Sequence, residues 1–188
     1  MRMESINHRQ AFYSKEAFNL NFLDDIVKKS KLSNSEWNDG SFSGDSDSIN
    51  SENRLTWPIS DLPSLQLKLK KIINDVNIKN YQFELGFLEN ALYIEYNSKN
   101  NNKLDWHMDI GPYPYNQRKL SFSIFINDPS EYEGGQLEIW MDNNQYDIIP
   151  KTKGGIVVFP SFLLHRVTPV TKGIRKVIVG FINGNPYR

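Results

Sequence analysis

Val157-Val158-Phe159-Pro160-Ser161-Phe162-Leu163-Leu164-His165-Arg166-Val167-Thr168-Pro169-Val170-Thr171-Lys172-Gly173-Ile174-Arg175 is the stretch whose reading decides how this chain is built. It opens on a β-branched run suited to a buried strand. Phe159 to Leu164 is apolar enough to be buried, yet it leads into a histidine. Lys172-Gly173 marks a turn. Beyond it, Arg175, Val177, Val179 and Phe181 alternate with Lys176, Ile178, Gly180 and Ile182, which is the two-residue period of a strand with two distinct faces. An arginine therefore heads an otherwise apolar face, where an unpaired charge is costly.

Working outward, short apolar-rich runs separated by turns fill the chain from about Tyr81 onward. They are Phe83–Phe87, Ala91–Tyr96, Lys119–Asn127, Gln136–Trp140, Gln145–Ile149, Gly155–Phe159 and Lys176–Phe181. The breaks include Asn97–Asn102, Glu133-Gly134-Gly135 and Asp142-Asn143-Asn144. Such spacing predicts an antiparallel sandwich or barrel. The first part reads differently. Residues 1–16 are polar, a loop with room for one edge strand. Leu20, Leu23, Ile26 and Val27 fall at helical spacing within Leu20–Lys31. Leu32–Glu52 is rich in Ser, Asn, Asp and Gly and reads as a long loop, a candidate lid. Arg54–Trp57 suggests a short strand. Leu65, Leu69, Ile72, Ile73 and Val76 then form one helical face, with Ser60 or Asp61 as its cap and Pro63 in its first turn. The expected architecture is mainly β, with two N-terminal helices packed on one sheet. At 188 residues we expect a single domain, 1–80 giving helical support and loops and 81–188 the β core.

Composition excludes several functions. There are no cysteines, so disulfides, zinc–thiolate sites and thiol nucleophiles are absent. Lys plus Arg equals Asp plus Glu at 22 each, which gives no basic excess for nucleic acid. With no apolar leader and no membrane-length apolar run, a cytoplasmic protein away from membranes is expected.

Only His8, His107 and His165 are histidines. On an extended segment His107 and Asp109 point to one side. With His165 from a later strand they complete a two-His, one-carboxylate set, which leaves positions open on iron(II). Zinc is compatible with the same residues, though iron suits them better without a thiol. Each residue also has a plainer reading. His-x-Asp is a common tripeptide, His165 suits a core histidine bonded to a carbonyl, and Arg175 suits an internal salt bridge. Alternatively, the Arg175 fork holds the distal carboxylate of a dicarboxylate.

Taken together, His107-x-Asp109, His165 and Arg175 ten residues later resemble the iron(II)- and 2-oxoglutarate-dependent oxygenases. The resemblance is to the prolyl-4-hydroxylase-like branch and its bacterial PKHD-type hydroxylases. Leu120–Pro129 and Tyr132–Leu137 are similar to that family's central strands, and Val157–Ser161 with Leu164–Gly173 to its distal-histidine segment. The first half resembles it only weakly, through a helix followed by Trp37-Asn38-Asp39-Gly40. Members carry a tyrosine and a glycine shortly before His-x-Asp. Here Tyr96 is followed by a longer loop, Asn97–Asn102, without the glycine.

The resemblance implies a double-stranded β-helix, a jelly-roll or cupin-like core. It implies Fe(II) on His107, Asp109 and His165, with 2-oxoglutarate as co-substrate, O₂ as oxidant and ascorbate as a candidate reductant. Arg175 is implied as the co-substrate clamp, with Tyr96 as the hydrogen-bonding tyrosine and Tyr93 as the alternative; ordinary strand packing accounts for either tyrosine nearly as well. Hydroxylation of an unactivated C–H is implied, on a prolyl or other amino-acid or peptidyl substrate or a small molecule, with release of succinate and CO₂. Trp106, Trp140, Tyr113, Tyr115 and Arg118-Lys119 are candidates for the mouth, with rim packing the better reading for Trp140, and Gly111–Tyr115 for a substrate-facing loop. Two other functions fit less well: a nucleic-acid oxidative demethylase of the same superfamily, and a non-enzymatic jelly-roll ligand-binding module.

Overall fold

A computed structural model describes residues 10–33, 37–38, 54–89, 91–142 and 145–186. Two antiparallel sheets face each other. The larger runs β1 (Phe12–Ser14), β10 (Ile156–Pro160), β6 (Arg118–Phe125), β12 (Val170–Asn183), β4 (Leu92–Asn97), β3 (Leu55–Pro58) and β2 (Trp37–Asn38), and β7 (Tyr132–Gly134) also pairs with β12. The smaller runs β5 (Leu104–His107), β11 (His165–Val167), β8 (Leu137–Asp142) and β9 (Gln145–Ile148). Among the described residues no helix is long and apolar enough to cross a membrane.

The alternation in β12 decides the layering. Val177 enters an inner cluster with Leu92, Ile94, Phe125, Phe159, Leu137 and Ile139, which fills the space between the sheets. Ile178 and Ile182 turn the other way, onto the helices α1 (Leu20–Ser33) and α2 (Leu62–Val76). Both helices sit on the larger sheet, as the pattern predicts. Leu23 and Ile26 of α1 are buried, and so are Leu65, Leu69, Ile73 and Val76 of α2. Asp61 caps α2 by accepting from the Ser64 N–H, and Pro63 lies in its first turn.

Several expectations need correction. Phe83–Phe87 is not a strand; only a single bridge joins Leu88 to Ile182. The cause is local. α2 runs on into one π-turn, Asn77–Tyr81, and the Asn77 side chain then bonds both the N–H and the C=O of Phe83. Those groups are no longer free for a ladder. Trp37–Asn38 pairs with β3, inside the stretch read as loop. Of the Leu32–Glu52 stretch read as a candidate lid, Leu32 and Ser33 end α1, while residues 34–36 and 39–53, Asp39 and Gly40 among them, lie outside the described residues, as do His8 and residues 143–144. Tyr132–Gly134, read as part of a turn, is a short strand on β12.

Candidate metal centre and cavity

The register of β5 against β11 puts His165 directly opposite His107, although 58 positions separate them in sequence. Cross-strand partners on one face stand about 5 Å apart. Their rings lie 4.1 Å apart between centroids. Asp109 follows β5 in a bend, and its N–H donates to Ser161 O at 2.9 Å. His107 Nε2 is 3.5 Å from Asp109 Oδ1, and His165 Nε2 is 3.4 Å from Oδ2. One donor atom from each residue falls within 4.8 Å of the others, so the three can hold a metal ion.

The tautomers follow from the backbone. His107 Nδ1 meets Asp105 O at 2.8 Å and His165 Nδ1 meets Leu163 O at 2.8 Å. A carbonyl only accepts, so each Nδ1 carries the proton and each Nε2 turns a lone pair toward Asp109. The carboxylate is oriented by Ser121, whose hydroxyl donates to Oδ2 at 2.6 Å and lies 3.0 Å from Ser161 Oγ. Burial works to raise the Asp109 pKa, but His165, His107 and Ser121 outweigh it and hold the carboxyl below its ordinary value. Burial pushes His165 down to about 4 against the pull of Asp109. Burial also lowers His107, yet its bond and charge pairing with Asp109 leave it raised. His165 is therefore neutral at neutral pH, as ligation requires.

These groups line a cavity of ≈ 410 Å³ between the sheets. Arg175 lines it too, at 1% exposure, and its Nε and Nη1 have no hydrogen-bond partner among the described residues. Among the described residues no acid forms the internal salt bridge that is the plainer reading of Arg175. Its guanidinium lies 5.0 Å from the centre of the Tyr96 ring, the residue facing it across β12 and β4. Gly135 makes this placement fit. Its φ is +57°, and a Cβ there would lie 2.8 Å from Arg175 Cδ.

Period-two alternation separates the two tyrosines. Tyr96 lines the cavity. Tyr93 lies on the opposite face of β4, with its ring 5.4 Å from Trp57 and its hydroxyl bonded to Glu95, so it does not reach the cavity. The mouth also differs from expectation. Tyr113, Tyr115 and Arg118 line it. Trp106 does not line it but packs edge to face with Trp140, the residue for which packing is the better reading, and Arg166 stacks on Trp106. Lys119 is buried and lies off the cavity lining. Three residues were not singled out from sequence. Ser121 and Ser123 line the cavity from β6, where polar residues at alternating positions of an apolar run were the available signal. Arg54 also lines it, and its Nη1 donates to the Tyr96 hydroxyl at 2.9 Å.

Fold and site together define a non-haem metal oxygenase. The sequence profile of the 2OG-Fe(II) oxygenase superfamily matches residues 91–183. A PKHD-type hydroxylase of Prochlorococcus marinus strain NATL2A is 32% identical over 160 residues, covering 84% of this chain and 71% of that one. One from Aliarcobacter butzleri is 31% identical over 155 residues, 78% of this chain and 67% of the relative. A Pseudomonas putida prolyl-4-hydroxylase structure superposes with a TM-score of 0.70 at 13% identity, over 93% of this chain and 92% of that one. A Trichoplax adhaerens prolyl hydroxylase, solved with a hypoxia-inducible-factor peptide fragment, gives 0.73 at 13% identity, over 94% and 84%. The chain belongs to the 2OG-Fe(II) oxygenases, in their PKHD-type hydroxylase branch, and it is a 2-oxoglutarate-dependent hydroxylase with the double-stranded β-helix fold.

Proposed function

We propose that His107, Asp109 and His165 hold iron(II), that Arg175 and Tyr96 bind 2-oxoglutarate, and that the enzyme hydroxylates an unactivated C–H of a prolyl or other amino-acid or peptidyl substrate, releasing succinate and CO₂. The observation that carries this reading is Arg175, a buried guanidinium with two unpartnered donors in the cavity that also holds the three-residue donor set. A charge so placed needs a carboxylate, and none of the described residues supplies one. Bound iron(II) with 2-oxoglutarate and O₂ supplies the oxidising power for the C–H step. The chain's own residues orient and protect. Ser121 fixes the ligating carboxylate, the Nδ1–H bonds orient both imidazoles with Nε2 toward Asp109, and Leu92, Ile94, Leu137 and Phe159 line the cavity with apolar surface. One hydrophobic cluster joins both helices to the larger sheet, which supports a single domain. The substrate class draws support from the prolyl hydroxylase neighbours, one of them solved with a peptide.

The test is anaerobic titration with Fe(II) and 2-oxoglutarate, followed by a succinate-release screen across peptides, free amino acids and methylated oligonucleotides. We expect one metal per chain, lost in His107→Ala, and stimulation by amino-acid or peptide substrates. Stimulation by methylated oligonucleotides alone overturns the substrate class. Wild-type behaviour of His107→Ala overturns the site.

A further inference from the structure

Among the described residues three guanidiniums line the cavity, those of Arg54, Arg118 and Arg175, against a single lining carboxylate, that of Asp109. Arg118 is fully engaged. Its Nε and Nη2 bond the Glu89 carboxylate at 2.8–3.1 Å, and its Nη1 donates to Asp109 O at 3.1 Å. The pair is neutral. Arg175 is assigned above to the distal carboxylate of the co-substrate, and the metal to its other end. With iron(II), the dianionic co-substrate and Asp109 counted in, Arg54 is the one lining charge that the described residues leave unbalanced.

Arg54 bears the marks of a receptor. Among the described residues its one bond is to the Tyr96 hydroxyl, which is neutral, and its guanidinium carbon lies 5.2 Å from the Tyr96 ring centre. Its Nε is buried with no partner among the described residues. No acid within the described residues pairs with it. It lines the same cavity as His107, Asp109 and His165. Arg175 is buried, whereas Arg54 is partly exposed.

Resting on that reading of the site, we infer that Arg54 binds a carboxylate of the primary substrate, so that the enzyme acts on a residue with a free α-carboxylate beside the reacting carbon: a free amino acid or the C-terminal residue of a peptide. A guanidinium fork pairs with a carboxylate through two parallel charged bonds, and an amide cannot replace it. An internal residue of a longer chain lacks that group. Arg54 is thereby a specificity-determining residue, distinct from the co-substrate clamp.

The experiment uses the full chain with Mn(II) in place of iron and saturating 2-oxoglutarate, so that binding is read without turnover. Free amino acids, dipeptides with free C-termini and the amide of each are titrated by ligand-detected NMR and thermal shift. Acids are expected to bind about 10- to 100-fold tighter than their amides. Arg54→Gln should erase that ratio, and Arg54→Lys should keep part of it. Free amino acids as the tighter ligands name one source of the carboxylate, and dipeptides the other. Equal binding of acids and amides, no acid bound at millimolar concentration, or an intact ratio in Arg54→Gln overturns the proposal. So does a loss of 2-oxoglutarate affinity in Arg54→Gln larger than that in Tyr96→Phe, since it would place Arg54 in the co-substrate site. A protein that takes up neither Mn(II) nor 2-oxoglutarate overturns the underlying site reading, and this inference with it. One that takes up both without preferring acids overturns this inference alone.

Discussion

Arg175→Met should make the ligand-free protein more stable while destroying its response to 2-oxoglutarate. The side chain is 1% exposed, with Nε and Nη1 unpartnered among the described residues. Each buried donor left without an acceptor costs about 1–3 kcal/mol. Methionine keeps a similar stem against Gly135 and Val170 and removes both donors and the charge. Against this stands the loss of the Tyr96 and Phe125 ring contacts at 5.0 and 5.9 Å, about 0.5–2 kcal/mol. Replacing buried charge by well-packed apolar groups is neutral to stabilising by about 1–4 kcal/mol. A net gain of about 1–2 kcal/mol raises Tm by about 2–8 °C in a chain of this length. The co-substrate loses two charge-assisted bonds of about 1.5–3 kcal/mol each, which weakens its Kd by roughly two to four orders of magnitude. Thermal melts with Mn(II), with and without 2-oxoglutarate, and calorimetric titration measure both effects. A ligand-free variant melting well below wild type, or an undiminished 2-oxoglutarate shift, would refute the reasoning.

Ser121→Ala removes the 2.6 Å bond to Asp109 Oδ2 and should weaken metal binding about 10- to 100-fold, read by competition with a chelating dye. An unchanged metal Kd would show that Asp109 needs no such support. Gly135→Ala places a Cβ 2.8 Å from Arg175 Cδ at a φ of +57°, so it should cost about 1–2 kcal/mol of stability and raise the 2-oxoglutarate Kd while sparing the metal. Equal losses of metal and co-substrate would point to general unfolding. Metal affinity should fall on acidification as His107 protonates, beginning above its ordinary value of 6.5 because its pKa is raised. His165, at about 4, is already neutral there, so each metal bound near pH 6 should displace close to one proton, and a count near two would contradict this.

Much of the scaffold was readable because its periods are clean. Alternation from Arg175 to Phe181 sorts the residues of β12 between the two sides of the sheet, and Asp61 with Pro63 starts α2 where the pattern places it. The donor set was readable as residue types, but not the reason they meet. β5 and β11 have four and three residues, too few for periodicity to register, and the pairing of His107 with His165 belongs to the assembled sheet. Arg54 adjoins a Ser-, Asn- and Asp-rich stretch that carries no pattern, so its place beside Tyr96 emerges only from the pairing of β3 with β4. Phe83–Phe87 misled because its composition suits a strand, whereas a nearby amide side chain occupies the Phe83 backbone groups.

β5 is the rim of the smaller sheet, hydrogen-bonded on one side only, and one of its residues faces the distal histidine. A cation gripped from both strands therefore rivets a lip that a handful of backbone bonds otherwise keeps shut. Hydrogen exchange at Trp106 and Arg166 should slow on metal loading while that of Leu69 stays unchanged. Equal protection with and without metal would mean the lip needs no rivet.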